Sequence, residues 1–169
     1  MVDAGLAAVL GARILPEEVV GVLDQPVAYA IGELDPGAAL FRLVRAGLLE
    51  IRAGIGFRFP SASLRRAVER TLPAGVRRQH HDAVLRWLLG SARRDEATLH
   101  RIVRHATATG LTEEAYSAHL LLAEAAQGSG RPRAAVAQFG AALALLGPGD
   151  PRRAPVETAI RELLAAPIP

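Results

Sequence analysis

The segment between Asp35 and Val68 constrains the fold more than any other part of this chain. Asp35 can accept hydrogen bonds from the free amides of a helix start, and Pro36 suits the first helical position. The residues that follow repeat apolar side chains at helical spacing up to Gly47, which is a typical helix stop. The side chains expected on one side of this helix are Leu40, Phe41, Val44 and Leu48.

A short hairpin and a second helix are predicted directly after that helix. Leu48 to Arg52 and Phe57 to Phe59 form two short strand patterns, and the glycines between them suit a tight turn. Pro60 and Ser61 then indicate the start of another helix. Helix, hairpin and helix in this order are the core of a winged-helix module, which we predict for residues 1–75.

Three further helices are predicted before this segment. They are Ala4 to Leu10, a second helix that begins at Pro16 and runs to Leu23, and a short third helix from Val27 to Leu34. The apolar start of the chain is not preceded by basic residues and is too short to span a bilayer. We therefore expect a buried helix there and no membrane association.

The chain changes character after the predicted break at Pro73-Ala74-Gly75 and continues as paired helices. Glycine-containing turns separate them, and Thr112 is expected to begin a capping box. In the first of these helices, Val84, Leu85, Leu88 and Leu89 are expected to face inward. The predicted helices are Arg78 to Leu89, Glu96 to Ala108, Thr112 to Gln127, Pro132 to Leu146 and Pro155 to Ala165.

A tetratricopeptide register fits the residues from Tyr116 to Gly149. Gly130 falls at the turn between the two helices, while Ala135 and Phe139 take a small and a large position of the second helix. Small residues let helices cross closely, and a large side chain fills the gap beside them. An ordinary helical hairpin with alanines at its contact is the alternative. The predicted fold class is thus mainly α, with a tetratricopeptide-like repeat domain over residues 76–169.

The composition excludes several classes of function. All 20 basic residues are arginine, and a P-loop requires a lysine, so the chain is not a P-loop ATPase by itself. The absence of cysteine argues against disulfides and thiolate metal sites and fits a cytoplasmic location. The sequence contains no nucleophile elbow, zinc-protease pair or dinucleotide-binding glycine pattern. We therefore predict that the chain is not an enzyme and has no catalytic, metal or cofactor-binding residues of its own.

Positive charge is concentrated in the middle of the chain. Residues 41–110 contain fourteen arginines and five acidic residues, for a net charge of +9. The helix after Asp35 contains no Asn, Gln, Ser or Thr, which readers of base edges commonly use beside arginine. Solvated helix faces, an acidic partner and DNA all remain open as explanations. The candidate contacts are Arg42, Arg45, Arg52, Arg58, Arg65 and Arg66.

Several runs of sequence together resemble a known family. The runs are Leu40 to Leu49, Phe57 to Phe59, Leu64 to Val68, Arg77 to His81 and Ile102 to Gly110. They resemble the region after the ATPase domain in large bacterial transcriptional regulators of the LuxR/MalT type, which are signal-transduction ATPases with numerous domains (STAND ATPases). The resemblance covers about residues 5–147.

This resemblance implies a non-catalytic regulatory module that links an ATPase core to a helical sensor arm. The implied partners are adjacent domains of the same regulator or another protein, with a peptide or small-molecule inducer. ATP or ADP would enter only if a missing ATPase domain were supplied, and the chain is expected to be either a part of a larger regulator or a stand-alone remnant. The alternative function is a stand-alone winged-helix DNA-binding protein.

The resemblance also concerns three single residues. His81 and His105 match positions where the family usually has histidine, and we expect both to be buried and structural. Ser61 stands where the family commonly has a histidine that can approach bound nucleotide.

Overall fold

The computed structural model describes residues 4–25, 35–53 and 56–165, which are mainly helical and include one small antiparallel sheet. The chain divides into two compact units, Met1–Ser91 and Ala92–Pro169. This boundary lies after the helix that begins at Ala74, whereas the division predicted from the sequence places it at residue 75. The difference arises because that helix packs on the first two helices of the chain.

The first unit contains five helices and two strands within its described residues. Its predicted helix starts are confirmed at two caps, since Asp35 accepts from the Gly37 amide at 2.9 Å and Ser61 accepts from the Leu64 amide at 3.1 Å. The predicted helix from Val27 to Leu34 lies outside the described residues. The elements are α1 (Ala4–Leu10), α2 (Pro16–Leu23), α3 (Pro36–Arg45), β1 (Glu50–Arg52), β2 (Gly56–Arg58), α4 (Ala62–Thr71) and α5 (Ala74–Gly90).

The predicted hairpin is confirmed, and an isolated antiparallel bridge joins Ile14 to the other edge of β2. We call this bridge the Ile14 rung. Strands β1 and β2 pair antiparallel with Ile51 opposite Phe57. The Ile14 amide donates to the Phe57 carbonyl at 2.8 Å, and the Phe57 amide donates back to the Ile14 carbonyl at 2.9 Å. Gly56 makes this approach possible, because its φ is +95° and a Cβ there would lie 2.7 Å from the Ile14 carbonyl oxygen.

The core of the first unit lies where α1 packs on α4 and α5, and where α2 packs on α3 and α5. Three expectations about this unit were wrong. Phe41 is 53% exposed and Leu89 is 38% exposed, because each lies next to a buried leucine and is turned by about 100° around its helix. Gly75 lies within α5, so the break is confined to the residues before Ala74.

The second unit contains the helices α6 (Glu96–Thr109), α7 (Thr112–Gly128), α8 (Pro132–Ala144) and α9 (Arg153–Ala165). Each packs mainly on the next helix along the chain. Gly110 and Gly130 adopt positive φ values of 76° and 65° at the first two turns, as expected of helix stops. The capping box predicted at Thr112 was wrong, because Leu111 occupies the cap position and provides no side-chain hydrogen bond.

The helices of the second unit run antiparallel to their neighbours. Tyr116, near the start of α7, packs with Ala142 and Leu146 at the end of α8. Farther along, His119 Nδ1 lies 2.7 Å from Gln138 Oε1. Three alanines and Phe139 form the buried part of this α7/α8 contact, and Val156 of α9 joins the same cluster. The cluster consists of Ala123, Ala126, Ala135, Phe139 and Val156.

We predict that Gly21→Ala destabilises the first unit. A Cβ at Gly21 would lie 2.2 Å from Trp87 Nε1, so α2 and the indole must separate. Overpacking of this kind costs about 1–3 kcal/mol of unfolding free energy, which denaturant titration followed by the fluorescence of the single tryptophan would measure. Gly75→Ala is the control, because no atom lies within 4 Å of a Cβ there. An equal loss in both variants would contradict the prediction.

We predict that Ala135→Leu opens the α7/α8 crossing. Ala135 is 0% exposed among alanines and Phe139, so three further carbon atoms have no room, and the expected loss is again about 1–3 kcal/mol. Ala137→Leu on the exposed side of the same helix adds the same atoms in water and serves as the control. Urea denaturation followed by circular dichroism distinguishes them, and similar stability of the two variants would refute close packing at Ala135.

Candidate functional site

The last turn of α3 presents two of the predicted arginines to solvent. Arg42 and Arg45 are exposed, lie three residues apart and therefore share one side of the helix. Neither has an acidic partner among the described residues, and α3 contains no acidic residue. Their position at the carboxyl end of the helix is also favourable for positive charge. The two guanidinium groups, and not the helix end itself, can therefore receive an anionic group.

The two arginines of the hairpin are bound to one carboxylate. Arg58 and Arg52 both donate to Glu50 Oε1, with Nε to oxygen distances of 2.5 and 3.4 Å. The hydrogen bond from Arg58 lowers the pKa of Glu50 from its usual value, and Arg52 adds a smaller effect of the same sign. The hairpin thus carries a partly neutralised charge cluster on the face that contains these residues.

The Arg65 side chain connects two helices of the first unit. Its Nη1 donates to the Ala8 carbonyl at 3.0 Å and to Glu69 Oε2 at 2.8 Å, so it links α4 to α1. Arg66 is exposed beside it. Of the six predicted contact residues, the structure thus brings Arg52 and Arg58 together on the hairpin and Arg42 and Arg45 together on α3.

The two histidines expected in the core are buried. His81 is 4% exposed, and its Nε2 lies 3.3 Å from Glu69 Oε1, the carboxylate that Arg65 also contacts. His105 is fully buried in α6, where its carbonyl accepts from the Thr109 hydroxyl at 3.0 Å. Within the described ranges, no group of three His, Cys, Asp or Glu side chains is arranged to hold a metal ion.

An aromatic pair connects α3 to the hairpin. The rings of Phe41 and Phe57 meet edge to face, with centroids 5.6 Å apart and an interplanar angle of 86°. Phe57 is buried, but Phe41 and Ile51, the residue opposite Phe57 in the ladder, are each about half exposed. An apolar area therefore adjoins the two exposed arginines of α3.

The second unit contains a charged cluster that the sequence did not predict. Arg152 donates to Asp150 Oδ2 at 2.7 Å and to Glu113 Oε2 at 2.6 Å, and its guanidinium carbon lies 4.8 Å from the centre of the Tyr116 ring. Hydrogen bonds from Arg152 lower the pKa of Asp150 to about 2, and they lower that of Glu113 as well. The cluster ties the loop before α9 to the start of α7. Only the Asp150 and Arg152 pair is close in sequence, so no local signal indicates Glu113.

The predicted repeat residues lie at the α7/α8 contact. Ala135 is fully buried, Phe139 is 7% exposed, and Gly130 adopts the left-handed conformation between the helices. A second ion pair at this end of the unit joins Arg131 to both oxygens of Glu96, at 3.1 and 2.9 Å. Hydrogen bonds from Arg131 lower the pKa of Glu96. Ala135 and Phe139 therefore pack between the helices and Gly130 forms the turn, so the outer faces of the helices are left for other contacts.

No protein-family model, curated protein or solved structure matches this chain. Among the described helices, none has both the length and the apolar character required to cross a bilayer.

The Arg152 cluster predicts how stability depends on pH. The pKa of Asp150 is lowered on folding from 3.8 to about 2, so the folded state favours the ionised carboxylate. This contribution is present above the unfolded pKa and is lost as pH falls from about 4 to about 2. We expect Arg152→Gln to reduce that part of the acid-induced loss of stability and to raise the Asp150 pKa in an NMR titration.

Arg161→Gln is the control for this titration, because the Arg161 guanidinium donates to the Thr158 hydroxyl within α9 and takes no part in the Arg152 cluster. It should leave the Asp150 carboxyl unchanged. An Asp150 pKa that is the same in Arg152→Gln and in the original chain would contradict the assignment.

Proposed function

We propose that the chain is a non-catalytic regulatory and interaction module of a signal-responsive bacterial transcriptional regulator of the LuxR/MalT type. In this proposal a winged-helix unit connects to the ATPase core of the regulator, and a tetratricopeptide-like arm receives a protein, peptide or small-molecule inducer. The proposal places the module in the cytoplasm and assigns nucleotide chemistry to the ATPase core.

The order of elements in the first unit supports the winged-helix assignment. Helix α1, the Ile14 rung, α2 and α3 are followed by the β1–β2 hairpin, which corresponds to a wing. The rung supplies the short strand that precedes the second helix in such domains. This order, together with the resemblance of the sequence, is the observation that carries the proposal for this unit.

Successive helix packing supports the assignment of an arm. From α6 to α9 each helix packs on the next, runs antiparallel to it and is separated from it by a short connection. Arrays built in this way expose a long surface relative to their core and commonly bind peptides or proteins. Alanines at the α7/α8 crossing bring these helices close together, as a tetratricopeptide register requires.

The proposal predicts a complex without catalysis. The purified chain should form a complex in size-exclusion chromatography with the separately expressed P-loop ATPase core of a LuxR/MalT-type regulator from the same genome. It should show no ATP turnover above a blank when it is alone. Absence of the complex, or turnover by the chain itself, would refute this function. A core that is already fused to its own winged helix is the control and should not bind.

Stand-alone DNA binding is the second candidate, and the exposure of Arg42 and Arg45 favours it. A winged helix can place such a helix in the major groove, where arginines contact phosphates or guanine. Anisotropy with random duplex at low salt tests this function. Tight binding that is lost in Arg42→Ala plus Arg45→Ala, without a complex with the ATPase core, would select DNA binding.

A further inference from the structure

We propose that the outer side of α3 and β1 is a docking site for an acidic, amphipathic segment of a protein partner. We define this Phe41 surface by Phe41, Arg42, Arg45 and Ile51. The inference goes beyond the proposed function, because it gives the first unit a partner of stated chemistry whatever the second unit binds.

The centre of the Phe41 surface is apolar. Phe41 is 53% exposed and Ile51 is 52% exposed, although both are large hydrophobic side chains. Both are neighbours of Phe57, since the Phe41 ring meets the Phe57 ring edge to face and Ile51 is the partner of Phe57 in the β1–β2 ladder. Covering both side chains would remove their apolar surface from water, and aromatic residues in such positions are common anchors of interfaces.

The edge of the Phe41 surface is positively charged. Arg45 lies one helical turn after Phe41 on the same side of α3, and Arg42 lies one turn before Arg45, so Arg45 adjoins the exposed ring and Arg42 extends the positive edge. Neither has an acidic partner among the described residues, whereas the arginines of the hairpin share Glu50. Complementary charge therefore requires carboxylates on the partner, placed beside an apolar side chain.

An acidic protein segment fits this combination better than nucleic acid does. Two arginines supply few phosphate contacts, and duplex affinity depends strongly on the number of such contacts. Ile51 offers no aromatic face to a base, and α3 contains no amide or hydroxyl side chain that could read a base edge. An acidic helix with apolar residues on one side would satisfy both parts of the surface at once.

Fluorescence anisotropy of the full chain with two labelled helical peptides tests the proposal. One peptide carries leucines on one face and glutamates beside them, and the other is identical with glutamine in place of glutamate. We expect the glutamate peptide to bind about tenfold more tightly or better. Phe41→Ala and the double variant Arg42→Gln plus Arg45→Gln should each weaken its binding by about tenfold.

The double variant Arg66→Gln plus Arg70→Gln is the matched control. It removes the same charge from two exposed positions of α4 and should change affinity by less than about twofold. Ile51→Ala is a second apolar variant, since Phe41→Ala also removes the ring contact with Phe57. Ile51→Ala should weaken binding of the glutamate peptide, as Phe41→Ala does. Circular dichroism of each variant establishes that the fold is retained.

Four results would overturn the proposal. They are equal or absent binding of the two peptides, unchanged binding in the Phe41 surface variants, tighter binding of random duplex than of the glutamate peptide, and self-association of the chain that Ile51→Ala abolishes. The last two would assign the surface to nucleic acid and to a second copy of the chain. Each of these results is independent of complex formation with an ATPase core, so the two proposals can fail separately.

Discussion

Two backbone hydrogen bonds between Ile14 and Phe57 are the constraint on which the first unit depends. A hairpin with strands of three residues is marginal by itself, and these bonds anchor it to the segment between α1 and α2. Because the backbone of Phe57 is fixed, its ring is held where it meets Phe41. Gly56 is necessary for this arrangement, since a side chain there would collide with the Ile14 carbonyl.

Acidic partners neutralise some of the arginines that give the middle of the chain its positive net charge. The sequence shows a basic middle region, but Arg52 and Arg58 are bound to Glu50, and Arg65 to Glu69 and the Ala8 carbonyl. Such pairs contribute little to long-range attraction because each guanidinium lies beside a carboxylate. The exposed positive charge of the hairpin and α3 is therefore concentrated near Arg42 and Arg45. This local concentration is the basis of the docking proposal, and Arg66 and Arg70 on α4 are further exposed positive charges outside it.

The elements with strong local signals could be predicted from the sequence. The caps at Asp35 and Ser61 were predicted because capping uses residues within one turn, and the hairpin because its strands are adjacent in the chain. The Ile14 rung was missed because one paired residue has no periodicity. Phe41 was misplaced because the helical pattern does not show which neighbouring apolar residue the fold leaves in water.

The candidate site was less predictable than the fold because its contacts depend on the exact strand register and on packing between elements. The sequence identified the arginines by type, but the register that places Arg58 opposite Glu50, and the packing that leaves Arg42 and Arg45 exposed, were not visible in it. A different limit applies to Arg152 and Glu113, which are 39 residues apart in the chain and meet only in the folded second unit. Residue type therefore indicated which groups could bind an anion, while tertiary packing decided which of them remain available.

The chemistry of arginine explains why a chain without lysine can form these contacts. Arg131 reaches both oxygens of Glu96, and Arg152 contacts two carboxylates while its planar group lies over the Tyr116 ring. A lysine ammonium is a compact point charge and does not reproduce this bidentate, stacked geometry. Both contacts connect positions on different helices or their connecting loops, but the side chains of the Arg131–Glu96 and Arg152–Glu113 pairs are 40–67% exposed, so each pair contributes little stability by itself. The arrangement of the helices therefore depends mainly on the buried alanine and Phe139 contacts, and the guanidinium groups add specificity at the helix ends.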